Sequence, residues 1–88
     1  MVTREELIAT LQEVGAQVLG IPIEKVTPSA SLRDDLGMDS IDMFDVLALV
    51  EQRFSVNIER EHFSDVRCIA DVVEVLLSKY AAEMRGQA

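Results

Sequence analysis

Apolar positions recur with a helical period in three long stretches of the chain, separated by segments with no period. Leu7, Leu11, Val14 and Val18 fall at i, i+4, i+7 and i+11, a single stripe of a helix. Thr3 stands before that stripe with Glu6 three residues on, the pattern of a capping box that opens it. Gly20 closes it as a C′ residue, and Pro22 follows where a helix cannot continue. Gly15 costs about 0.5–1 kcal/mol relative to alanine in a helix interior, so it predicts a close helix contact. From Ile21 to Asp35 the residues Pro22, Pro28, Ser29 and Ser31 interrupt any period, which predicts a long loop crossing the bundle, with Ile23, Val26 and Leu32 pinning it to the core. A loop of this length is normally functional or locally helical.

The next stretch, about Asp39 to Phe54, has more apolar positions than one stripe holds. Met43, Val46, Leu47, Val50 and Phe54 form a core-facing series, while Ile41, Phe44 and Ala48 fall on another face beside Asp45 and Glu51. A domain this small buries few helices all round, so the second set predicts an exposed apolar strip edged by carboxylates. After the loop at Phe54 to Ile58, Glu59 to Phe63 has room for one turn of a minor helix, and Ile58, Phe63 and Val66 would cover the open end of the core. A last helix begins near Cys68 with a weak cap, because Arg67 stands where serine or threonine would serve better. It buries Ile69, Val72, Val73, Leu76 and Tyr80 and turns Asp71, Glu74 and Lys79 to solvent. The fold class is therefore all-α: a small helix bundle of three main helices and one short minor helix, with a long first loop. The chain reads as a single domain, 1–88, ordered from about 3 to 82, with 83–88 a flexible tail.

Composition narrows the function. At 88 residues the chain buries only about 60% of its unfolded surface, and its 49% hydrophobic but 5% aromatic content makes leucine, valine, isoleucine and methionine the packing material. The net charge of −8 argues against a nucleic-acid partner, which needs clustered lysine and arginine, and favours basic protein surfaces. No run approaches the ~20 apolar residues of a membrane span, and the first residues lack a signal-peptide pattern, so the expected location is the cytoplasm. The single cysteine, Cys68, fits a reducing compartment and reads as a half-buried small hydrophobe.

The junction between loop and central helix carries the candidate chemistry. Asp39 is a good N-cap, and Asp42 three residues later favours the positive helix end. Ser40 then lies in the first turn with its hydroxyl near solvent, beside orphan amides that suit an anion such as a phosphodiester. Between Asp34 and Glu51 stand six carboxylates, Asp34, Asp35, Asp39, Asp42, Asp45 and Glu51, with no lysine or arginine among them.

The stretch Leu36-Gly37-Met38-Asp39-Ser40-Ile41, with Val26-Thr27-Pro28 before it and Phe54 to Ile58 after it, resembles the attachment motif of acyl carrier proteins. The likeness runs from about Glu6 to Tyr80, with Ile41 where that family usually has leucine. It implies that Ser40 bears a covalent 4′-phosphopantetheine arm, with Asp39 beside it, and that the arm's thiol carries acyl groups as thioesters. It further implies that a phosphopantetheinyl transferase loads the arm, and that acyl-loading and synthase or ketosynthase-type enzymes with basic surfaces dock on the central helix. Ile41, Asp42, Phe44, Asp45, Ala48 and Glu51 are the docking candidates.

The expected function is thus a monomeric, stand-alone carrier for fatty acid or polyketide-type biosynthesis. The alternatives are an aminoacyl or peptidyl carrier, or an unmodified acidic adaptor that uses the same face. A catalytic role is not expected. A serine hydroxyl needs an oriented base, His62 is the only histidine, and there is no Gly-x-Ser-x-Gly turn. A metal site is not expected either, because Asp34 to Asp45 lacks the glycine and glutamate of an EF-hand loop and no Cys/His cluster exists. Met43, Leu47, Ile58, Val66 and Cys68 are expected near the Ser40 end as the lining that admits an apolar acyl chain.

Overall fold

A computed structural model describes residues 2–84, which share one hydrophobic core. Three α-helices build it: α1 (Arg4–Leu19), α2 (Ser40–Phe54) and α3 (Ile69–Lys79). Two 3₁₀ turns interrupt the connections, η1 (Ile23–Lys25) and η2 (Arg60–Phe63), and no strand occurs among the described residues. The minor helix expected at Glu59 to Phe63 is η2. The turn η1 is an addition, one of the two ways a long loop resolves itself.

Each helix buries most of the stripe its sequence spells, Val18 at the end of α1 being half-buried. Leu7, Leu11 and Val14 of α1, Val46, Leu47, Val50 and Phe54 of α2, and Ile69, Val72, Val73 and Leu76 of α3 are all buried. Thr3 caps α1 by accepting from the Glu6 amide at 3.1 Å, and Gly20 ends it at φ 66°. Ion pairs tie the helices on the outside: Arg4 with Glu74, and Arg53 with Glu13 at 2.9 Å. Both pairs are substantially exposed and add at most about 1 kcal/mol each.

Several expectations need correction. Ile23 does not pin the first loop; it is 43% exposed, because η1 turns its side chain away while Val26 takes the core position. Gly15 does make room for a close approach, but for the loop and not another helix: a Cβ there would stand 3.3 Å from Val26 Cγ1. Met43 is half-buried and not fully cored. Val2 and Met84, at the ends of the described residues, are both buried, and the Met84 amide donates to Tyr80 O at 3.1 Å. Of the tail expected from 83 on, 85–88 lie outside the described residues.

Candidate functional site

The loop before α2 is compact because its own polar groups close it. Asp35 accepts from the Ser31 amide at 2.7 Å, Ser31 Oγ accepts from the Asp34 amide at 3.0 Å, and Met38 donates to Leu32 O at 2.7 Å. Gly37 turns the chain at φ 65°, a left-handed conformation that glycine adopts without a Cβ penalty. The hydrogen bonds that fasten the loop to the start of α3 are all main-chain bonds, alongside the burial of Val26 and Leu32 in the core. Ser31 and Cys68 form an isolated antiparallel bridge, Leu32 donates to Arg67 O at 2.9 Å, and Ala70 donates to Pro28 O at 2.8 Å. That last bond satisfies an orphan amide of α3, whose N-cap Cys68 makes no side-chain cap, and Asp71 adds a bond from the Arg67 amide at 2.9 Å. Cys68 itself is half-buried.

At the end of this loop Asp39 and Asp42 form a reciprocal capping box. The Asp42 amide donates to Asp39 Oδ1 at 2.8 Å, and the Asp39 amide donates to Asp42 Oδ2 at 3.2 Å. Ser40 is therefore the first residue of α2 and is exposed, and its hydroxyl joins none of the hydrogen bonds among the described residues. Its amide and that of Ile41 are first-turn donors without an intrahelical acceptor, so an anion carried on Ser40 Oγ meets N–H groups and the positive end of a helix.

No base stands by to activate that hydroxyl. His62 lies in η2, where its Nδ1 is 2.6 Å from Tyr80 Oη and its Nε2 is 3.6 Å from Glu59. It is a half-buried member of a small network with Tyr80 and Glu59.

A groove opens directly beside Ser40, between α2 and the segment that includes η2. Leu32, Met38, Met43, Leu47, Phe63 and Val66 give it an apolar part, charged residues such as Arg33, Asp34, Glu61 and Asp65 line the rest, and Ser40 itself lines it. The lining expected from sequence is half realised. Met43, Leu47 and Val66 are there, whereas Ile58 is buried elsewhere and Cys68 faces the loop bridge. Met38, Leu32 and Phe63 take their places. Sequence reading missed Met38 because it precedes the helix and belongs to no period.

The outer face of α2 matches expectation at its N-terminal half. Ile41 is 69% and Phe44 53% exposed, and Asp39, Asp45 and Ala48 are exposed with them. Asp42 is half-buried by its part in the box. Glu51 departs from the pattern: both of its carboxylate oxygens are used within the chain, Oε2 accepting from the Ile58 amide at 2.8 Å and Oε1 pairing with Arg60 at 3.3 Å. It is therefore a brace across the α2–η2 turn. Arg60, outside the acidic run in the sequence, is folded back against Glu51, with its guanidinium 5.8 Å from the centre of the Phe44 ring.

Comparison with known proteins agrees with this geometry. Residues 9–76 match the family described as a phosphopantetheine attachment site. The chain is 33% identical over 78 residues to an acyl carrier protein of Saccharopolyspora erythraea, covering 89% of this chain and 82% of that one. It is 39% identical over 71 residues to a meromycolate extension acyl carrier protein of Mycolicibacterium smegmatis, covering 81% and 72%. An acyl carrier protein of an Exiguobacterium species is 31% identical over 77 residues, 88% of this chain and 98% of its own length. With a family match over 9–76 and relatives of this extent, the chain belongs to the acyl carrier protein family, whose cofactor is phosphopantetheine.

Proposed function

We propose that Ser40 is the attachment residue and that the chain acts as a non-catalytic carrier in the cytoplasm. The single observation that carries this reading is the exposed, unengaged Ser40 hydroxyl at the first position of a boxed helix. When bound, the arm supplies a thiol that holds acyl groups as thioesters. The chain's own residues do the rest. Asp39 and Asp42 keep the first turn formed, so that Ser40 is presented at a fixed place, and the first-turn amides offset the phosphodiester's charge.

Partner enzymes, a phosphopantetheinyl transferase first and synthase-type enzymes after it, dock on Ile41, Phe44 and Ala48 with Asp39, Asp42 and Asp45 as the charged margin. Exposed carboxylates around an apolar centre fit a basic surface with an apolar socket, which speeds encounter and fixes register. Glu51, spent on Ile58 and Arg60, supports this face from beneath and is not itself a docking contact. The cargo is a fatty or polyketide-type acyl group, whose apolar chain enters the groove that Ser40 lines. The apolar part of the groove and the extended-chain carrier among the relatives support that choice.

Co-expression with a broad-specificity phosphopantetheinyl transferase, followed by intact mass measurement, tests the assignment. The wild type should gain the mass of one phosphopantetheine and Ser40→Ala should gain nothing. An unmodified wild type, or a modified Ser40→Ala, overturns it.

A further inference from the structure

The groove beside Ser40 has one wall, η2, that is held to the rest of the bundle unequally on its two sides. Toward α3 the attachment is buried and multiple. Tyr80 Oη accepts from the Glu59 amide at 3.0 Å and meets His62 Nδ1 at 2.6 Å, and the Tyr80 ring stacks on Phe63 at 6.3 Å between centres. Toward α2 the Ile58 amide donates to Glu51 Oε2 at 2.8 Å where the segment begins. On the solvent side of η2 the attachment is the guanidinium of Arg60, which pairs with Glu51 Oε1 at 3.3 Å and lies over the Phe44 ring while its Nη1 donates to Ile58 O at 3.0 Å within the segment. Within η2 and just after it the backbone hydrogen bonds are long: 3.2 Å from His62 to Glu59, and 3.4 Å from Ser64 to Glu61 and from Val66 to Phe63. A segment with long internal bonds, a firm hinge on one side and a half-exposed ionic contact on the other opens at the ionic side first.

We propose that Arg60 is a positioning residue that straps this wall across the mouth of the groove and so sets how well a cargo on Ser40 is enclosed. Phe44 and Arg60 both line the groove mouth, with Phe44 on the helix that bears Ser40. The strap therefore joins the wall of the cargo site to the exposed strip of α2. A partner that seats Phe44 in an apolar socket removes the platform of the guanidinium, and a basic group of that partner competes for Glu51. Docking then loosens the wall beside the cargo. This rests on the reading of the groove as the acyl site, and the test separates the two.

The protein carrying an octanoyl-phosphopantetheine arm is compared as wild type, Arg60→Met, Arg60→Lys and Phe44→Ala, by amide hydrogen exchange and by the rate at which hydroxylamine cleaves the thioester. A half-exposed ion pair together with a cation–π contact corresponds to an increase of about threefold to tenfold in local opening. Arg60→Met should therefore raise exchange at His62, Ser64 and Val66 by about that factor, leaving the Glu59 amide at the Tyr80 hinge and the α2 core amides unchanged, and should speed cleavage in parallel. Arg60→Lys, which keeps the charge near Glu51, should recover part of the protection, an outcome that loss of side-chain bulk alone does not give. Phe44→Ala should loosen the same amides to a lesser degree.

Unchanged exchange in Arg60→Met overturns the strap. Raised exchange at the Glu59 amide and core alike means global loosening and also overturns it. Raised local exchange with unchanged cleavage leaves the strap standing and overturns the groove as the cargo site. Unchanged exchange in Phe44→Ala overturns the link to docking.

Discussion

Replacing Asp39 separates two things that its carboxylate does at once, and the separation has a size. Its Oδ1 accepts from the Asp42 amide at 2.8 Å in an exposed capping box, and its charge stands at the positive end of α2. Asp39→Ala deletes the acceptor and the charge, while the return bond from the Asp39 amide to Asp42 Oδ2 can remain, since it uses main chain. An aspartate cap replaced by alanine typically costs about 1 kcal/mol within a range of roughly 0.5–2, and the charge at the helix end adds about 0.3 kcal/mol at an exposed site. Asp39→Asn keeps a capping oxygen and loses the charge, so only the smaller figure applies. Near the midpoint, a difference of about 1 kcal/mol in a domain of this length is a Tm change of about 4–8 °C.

Urea and thermal unfolding followed by circular dichroism measure both variants, and exchange at the Asp42 amide reports the cap directly. The rate of arm transfer, followed by intact mass, then reads function. If the cap's role is to hold Ser40 in place, Asp39→Ala should slow transfer and Asp39→Asn should come close to wild type once salt screens the lost charge. Equal destabilisation by Asp39→Asn and Asp39→Ala, or none by either, refutes the assignment of the cap.

The same physical reading gives three further expectations. Tyr80→Phe keeps the stack on Phe63 but strands the Glu59 amide and His62, and should cost about 1–2 kcal/mol by urea unfolding. Ile41→Ala and Phe44→Ala should each change stability by under about 0.5 kcal/mol, since both side chains are largely exposed, yet both should weaken transferase or synthase binding in titration calorimetry. Ser55, the residue at the C-cap of α2, holds φ 52° without being glycine, so Ser55→Gly should raise stability by about 0.5–1 kcal/mol in thermal unfolding.

What the sequence could convey depended on how far apart the interacting groups lie along the chain. The Asp39–Asp42 box and the Thr3 cap were legible because donor and acceptor are three residues apart, and the core stripes because their period is a property of one helix. The exposure of Ile41 and Phe44 followed from counting more apolar positions on α2 than one core face accepts. The bracing contacts of Glu51 were not legible because its partners, Ile58 and Arg60, sit beyond a turn whose geometry no period encodes. Arg60 was overlooked for the same reason, as a charge is assigned to a face only once the turn before it is known. Ile23 and Met43 show the limit of hydrophobicity as a guide: each is apolar, but a 3₁₀ turn exposes one and the groove leaves the other half-covered.

The segment that delivers Ser40 is moored to α3 through Pro28 O, the Leu32 amide and the Ser31–Cys68 bridge, all of them peptide groups. Any replacement other than proline at Leu32 or Ala70 keeps the N–H donors of these bonds. The approach to Ser40 is thus free to diversify at Thr27, Ser29, Arg33 and Asp34, while the tether point keeps its address so long as Gly37 preserves its reversed twist.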